Sequence, residues 1–286
     1  MKIITRTGYG CLRQTELLIG KPYKALPNST LNEKFEVQAN VVPEAGKIPY
    51  LGYYSIGQGG HRNETGADGF PLTSPIDHRP TDAGLFRFLP FVLRELTNDL
   101  DSGARSRYAM RKIIQVDGRN YVAYYLKKIP MDSVSPDIYY NRVVDGQVTT
   151  TPFRPDNSNL NPTPPEIPNT GTVTTSGDYL SVSAILPLDF TANDVAELVN
   201  AIRILYKDER YAVISEIAMV TASAKVVTGP GPGNTTIQYE EAVAAQIAAH
   251  MTGHYPVGFT NMGFNLKVNL GATEPMFKPS AVTTGN

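Results

Sequence analysis

The sequence predicts an α+β protein of two lobes, and three features carry that expectation. Two Asp-Gly pairs sit between β-rich runs. A capped amphipathic helix spans 191–206. A segment dense in proline and asparagine separates the hairpins from that helix. Residues 1–100 supply short apolar pieces, "KIITRT", "ELLIG", "FEVQANVV" and "IPYLGYYSI", parted by Gly, Pro and Asn; these read as short strands and extended arms. In "DAGLFRFLPFVLRELTNDL" Asp82 can cap a short helix interrupted at Pro90. Phe91, Val92, Leu93, Leu96 and Leu100 then form its apolar face. The next stretch, "AMRKIIQV", Asp117-Gly118 and "RNYVAYYLKKI", is a β-hairpin with a type I′ turn, and Asp145-Gly146 in "RVVDGQVTT" marks another.

Residues 1–150 therefore form a turn-rich, β-containing N-terminal lobe, and 151–175 an extended connector, since "TPFRPDNSNLNPTPPEIPNTGT" cannot build a core. Residues 176–286 read as an α/β sandwich in the order strand, helix, strand, helix, strand. "DYLSVSAILPLDF" is the first strand. "TANDVAELVNAIRILY" opens with Thr191 and Asp194 at capping-box spacing and continues with Val195, Leu198, Val199, Ile202 and Leu205 on one stripe. "YAVISEIAMVTASAKVV" is a long strand, bent or bulged. "TTIQYEEAVAAQIAAHM" reads as a second helix with Ile237, Val243, Ile247 and Met251 on its face, and "GFTNMGFNLKVNL" as a closing strand.

Composition narrows the function classes. Only 19% of the 286 residues are charged and the net charge is −1. Such a neutral, hydrogen-bonding surface suits association better than it suits a self-repelling monomer, and it lacks the basic footprint of nucleic-acid binding. The one basic cluster, Arg105, Arg107, Arg111 and Lys112, follows the acidic "NDLD" and reads as a locally paired, solvated surface. Cys11 is the only cysteine, which excludes an intrachain disulfide, and its neighbours suggest an inert, partly buried thiol. With no secretory leader pattern and no run of 18 apolar residues, the expectation is a soluble protein made in a reducing cytoplasm.

The motifs that could carry chemistry each lack a required part. In "VTGPGPGNTTIQYEEAV" a Gly-rich loop precedes an expected helix. However, no Lys stands before Thr235, and Pro230 and Pro232 remove backbone donors, so 228–236 reads as a stiff connector with Thr235 or Thr236 capping the helix. His250 and His254 have the spacing of helical metal ligands. Met251 stands where the zinc-protease motif needs Glu, and His250 suits a helix C-terminus. Asp99/Asp101 and Glu240/Glu241 read as surface charges. No nucleophile elbow or cofactor motif is present, so the sequence points to no enzyme, cofactor or small-molecule substrate. A metal- or nucleotide-dependent hydrolase using His250/His254 or 228–236 is the alternative of another class.

The stretch most like a site is "LGYYSIGQGGHRNETGADGFP", residues 51–71. Its glycines match no nucleotide fingerprint and its acids no calcium loop. They do permit positive φ and close backbone approach. Tyr53, Tyr54, Gly57, Gly59, Gly60, His61 and Arg62 then form a candidate protein–protein contact, with tyrosine area and an arginine able to bridge to another chain.

Residues "LGYYSIGQGGHRN", "DHRPTDAGLFRFLPFVLRELTNDL" and the extended connector resemble virion structural proteins of large contractile-tailed bacteriophages. The resemblance implies a non-enzymatic baseplate, tail or neck subunit, with a head–tail connector or capsid decoration protein as the alternative. It also implies partners among other virion proteins and symmetry-related copies, and a virion location after assembly in the host bacterial cytoplasm. No membrane and no direct nucleic-acid contact are expected.

Overall fold

The computed structural model describes residues 3–21, 23, 26, 29–162, 177–258, 260 and 262–276. It is mostly β-sheet with few helices, compatible with the α+β class. In chain order the elements are β1 (Ile3–Arg6), α1 (Gly8–Leu18), α2 (Leu31–Phe35), β2 (Tyr50–Gly57), β3 (His61–Thr65), β4 (Pro71–Pro75), β5 (Phe88–Leu89) and β6 (Val92–Glu95). There follow α3 (Ser102–Arg105), β7 (Tyr108–Val116), β8 (Arg119–Lys128), β9 (Asp137–Val144), β10 (Gln147–Pro152), β11 (Tyr179–Phe190), α4 (Ala192–Tyr206), β12 (Val213–Pro230), β13 (Thr236–Pro256) and β14 (Phe264–Pro275).

Two compact units result, residues 1–129 with 188–265 and residues 130–187 with 266–286. This differs from a division at 1–150, 151–175 and 176–286. The reason is pairing: strands from both ends of the chain enter one sheet, ordered β1-β13-β12-β2-β8-β6, with β5 on β2 and β7 on β8. Of the expected connector, 151–152 belong to β10 and Asn157–Leu160 make a short 3-10 turn, while 163–176 lie outside the described residues.

Local chemistry explains several elements directly. Asp117 and Gly118 have φ of 49° and 77°, and Asp145 and Gly146 of 50° and 77°, so both hairpins turn with two positive-φ residues as type I′ requires. Helix α4 has its full capping box: the Thr191 side chain accepts from Asp194 N–H while Asp194 accepts from Thr191 N–H. Strand β12 carries register shifts at Ile214/Glu216, Met219/Val220 and Thr221/Ser223, the expected bulges.

Two expected helices are strands. Residues 82–100 hold β5, β6 and a 3-10 turn at Leu96–Asn98, because Pro90 breaks any helical ladder and β6 can pair with β8. Of residues 235–251, expected as a helix, 236–251 belong to β13, so the C-terminal order is strand, helix, strand, strand, strand. Alanine and glutamate favour a helix locally, yet β12 and β1 supply β13 with backbone partners on both sides. Small side chains let α1 lie directly on it: a Cβ at Gly10 would stand 2.2 Å from the Ala248 carbonyl oxygen. Accordingly, Pro230 to Thr236 is a hairpin connection rather than a helix N-terminus, and His250 lies in a strand.

The core of the larger unit gathers Tyr53, Leu93, Met110, Leu126, Val220 and Ile247 under Leu31 and Phe35 of α2. Phe35 stacks on Tyr125 at 4.2 Å. Tyr54, fully buried, meets Phe91 and Phe190 edge-on at 5.3 and 5.8 Å and donates its hydroxyl to the Asp189 carbonyl at 3.1 Å. The smaller unit is a four-stranded sheet, β10-β9-β11-β14. Tyr54→Ala should therefore lower the free energy of unfolding by about 3–5 kcal/mol in urea denaturation, the cost of emptying an aromatic core position.

Candidate functional site

The chain leaves the sheet after β2 and returns at β5, and the stretch between is fastened by one carboxylate. Glu216 of β12 is completely buried. It accepts hydrogen bonds from Gly59 N–H at 2.5 Å, Phe86 N–H at 2.7 Å and Arg87 N–H at 3.2 Å, and His78 Nε2 lies 3.0 Å away. The other ring nitrogen, Nδ1, is 3.0 Å from Asp82 Oδ2, which also accepts from Arg79 N–H. The His78 ring lies parallel between Phe86 at 4.1 Å and His250 at 4.0 Å. His250 Nε2 stands 3.3 Å from the Asp82 carbonyl oxygen, and its Nδ1 is buried without a partner among the described residues.

All four histidines of the chain meet here. His61 packs edge-on to His254 at 4.9 Å. Each pair joins one histidine of the excursion, His61 or His78, to one of β13, His254 or His250. Burial, and secondarily the His78 imidazole, push His250 from 6.5 down to about 4. Burial and then His254 lower His61. Burial alone would raise Asp82, but the Arg79 N–H and the His78 ring together bring it below its ordinary value.

This geometry explains the glycines. A Cβ at Gly59 would sit 2.6 Å from Phe86 Cβ and 2.8 Å from Glu216 Oε1; one at Gly60 would sit 2.4 Å from the Ser215 carbonyl oxygen. Neither glycine has positive φ, so close approach and not turn geometry is the requirement. The other members of the sequence-derived contact set fall in different places. Tyr53, Tyr54 and Gly57 are buried in the sheet, which removes the tyrosines from any external contact. His61 is half-buried, and Arg62 is exposed and paired with Glu64. Glu216, His78 and Asp82 carry the arrangement instead. The signals for them were a lone charge in the apolar run "VISEIAMV" and a His and Asp four residues apart.

Both His78 nitrogens face carboxylates, and Glu216 accepts three backbone hydrogen bonds. The cluster ties segments together. Among the described residues, no three His, Cys, Asp or Glu side chains converge as a metal site.

Other charges expected at the surface are also internal. Arg111 and Asp99 form a buried pair at 2.8 Å, with the Tyr124 hydroxyl donating to Asp99 at 2.7 Å. Arg105 is buried and donates to the Leu100 carbonyl, while Asp101 caps α3. Glu241 is fully buried, accepting from Arg111 N–H at 2.8 Å, and burial raises it to about 8. Cys11, expected partly buried, is exposed.

A family model matches residues 1–285 of this chain. The chain belongs to DUF7208, a family of unknown function. No curated protein and no solved structure matches it.

Two outcomes follow from the site. In the folded chain His250 binds a proton less readily than in the unfolded one, so its contribution to stability is complete above pH 6.5 and is lost as pH falls through about 4. Glu241 acts in the opposite sense: its contribution is complete below pH 4.5 and is lost as pH rises through about 8. Urea unfolding across pH should show His250→Gln removing an acid-side loss on the order of 3 kcal/mol, and Glu241→Gln removing the decline between pH 4.5 and 8. Separately, Gly60→Ala should cost at least about 1–3 kcal/mol by overpacking. Gly84→Ala, where a Cβ meets nothing closer than 3.7 Å, should leave the melting temperature nearly unchanged.

Proposed function

We propose that this chain is a non-enzymatic structural subunit of a phage virion, in the baseplate or tail, joined to neighbouring virion proteins and to copies of itself. The observation that carries the reading is the sheet of the smaller unit. Among its described residues only Asn141 and Leu186 are buried. Every residue of β10 is exposed, and Val144, Val148, Val182, Ile185 and Leu270 show large apolar area to solvent. A sheet of this size needs a covered face for stability, and open outer strands are templates for pairing. A neighbouring subunit provides both.

Two further features support the reading. The residues richest in chemical groups form a clamp in which both His78 nitrogens face carboxylates, and the net charge of −1 opposes association little. The virion setting is supported by the resemblance of residues 51–63 and 77–100. In this reading a large β unit holds the fold while the thin sheet makes the contacts, with assembly in the host bacterial cytoplasm.

Hydrogen exchange of the isolated chain and of the assembled particle tests the reading. Amides of β9 and β11 should exchange at least about 100-fold faster than those of β12 and β13 in the isolated chain, and become protected on assembly. Equal protection of β9 and β11 in the two states, or absence of the chain from purified particles, would overturn it.

A further inference from the structure

In the basic cluster of Arg105, Arg107, Arg111 and Lys112, three members have carboxylate partners. Arg107 pairs with Asp194 at 3.2 Å, Arg111 with Asp99 at 2.8 Å and Lys112 with Glu36 at 3.5 Å. Among the described residues Arg105 has none, although it is the member whose chain neighbours are acidic. It is 8% exposed, its Nη2 donates to the Leu100 carbonyl at 2.7 Å, and its Nε is buried without a partner. The neighbouring carboxylates are engaged elsewhere: Asp99 by Arg111 and the Tyr124 hydroxyl, Asp101 by the Ala104 N–H. Guanidinium groups keep their charge even when enclosed, so a buried arginine is ordinarily matched by an anion.

Arg105 also lines a cleft of about 210 Å³. α3 and its C-cap contribute Ser102, Arg105 and Ser106, β12 contributes Val226, and β13 contributes Tyr239 and Glu240. Of these six only Arg105 is buried. Arg111 lies over the Tyr239 ring at 5.2 Å and so fixes that wall. Glu240 is paired with Lys128.

We infer that this cleft is a binding site for a small organic carboxylate, held by the Arg105 guanidinium. The planar fork of a guanidinium matches two carboxylate oxygens, and the interaction is stronger for a partly desolvated arginine than for a surface one. Ser102 and Ser106 carry hydroxyls that can donate to the same oxygens. Val226 and the Tyr239 ring suit an apolar body attached to the carboxylate. Glu240 disfavours a doubly charged phosphate more than a singly charged carboxylate, because like-charge repulsion grows with the ligand's charge. An open cleft with one charged anchor binds weakly, on the order of 1 mM. The inference concerns the larger unit and does not rest on the virion reading, so the two fail independently.

Benzoate is the probe, with acetate and inorganic phosphate as comparisons. Each is titrated into the full chain at low salt while the Arg105 Nε–H is followed by ¹H–¹⁵N NMR. Benzoate should shift that resonance with a Kd of about 1 mM; acetate should bind at least about 3-fold more weakly, and phosphate more weakly still. Arg105→Lys keeps the charge and loses the fork, and should weaken benzoate binding, followed by calorimetry, at least about 10-fold. That change also removes the bond to Leu100 and can disturb folding, so Val226→Glu is the second variant. Position 226 is 62% exposed; melting should stay unchanged while the added carboxylate weakens benzoate binding at least about 10-fold. No shift of the Arg105 resonance up to about 20 mM benzoate, an affinity unchanged by Val226→Glu, or phosphate binding tighter than benzoate would overturn the inference.

Discussion

A carboxylate buried without partners costs several kcal/mol, and that constraint on Glu216 organises the larger unit. Its acceptor capacity is filled by the backbone at Gly59, Phe86 and Arg87 and by the His78 ring. None of these donors is near it along the chain. They reach it only when residues 58–87 leave the sheet after β2 and fold back against β12. The excursion and the burial of Glu216 are thus conditions of each other. The two histidine pairs add contacts from the excursion to β13, and Gly59 and Gly60 are small because Phe86, the Ser215 carbonyl and the Glu216 side chain occupy the space a side chain would need.

The same logic recurs around β8. Lys127 is buried against Asp194 at 2.8 Å and the Asp189 carbonyl at 2.5 Å. The Asp194 carboxylate that caps α4 thereby links the helix to the sheet. Arg111, Asp99 and Tyr124 form a second buried set. With Glu241 and Arg13 also internal, several of the few charged residues are spent inside the protein.

The two units differ in how completely they satisfy themselves. The larger one has a continuous core. The smaller one has a register-matched ladder, and among its described residues only Asn141 and Leu186 are buried.

Some of this was legible in the residues. Both Asp-Gly turns, the Thr191–Asp194 capping box and the bulged course of β12 are decided by interactions spanning a few positions, where side-chain chemistry acts directly on φ and ψ. The burial of Tyr53 and Tyr54 within the candidate contact at 53–62, and the strands at 82–100 and 236–251, were not. Tyr53 and Tyr54 suit a contact surface as well as a core, and an alanine-rich run favours a helix until neighbouring strands offer its backbone a better set of partners. Glu216 shows the limit most sharply. Its backbone donors lie between 129 and 157 residues away. By itself the sequence determined the turns, the cap and the neutrality of the chain; only the tertiary structure decided which charges are buried and which glycines they require, because those choices depend on groups that meet solely through the sheet.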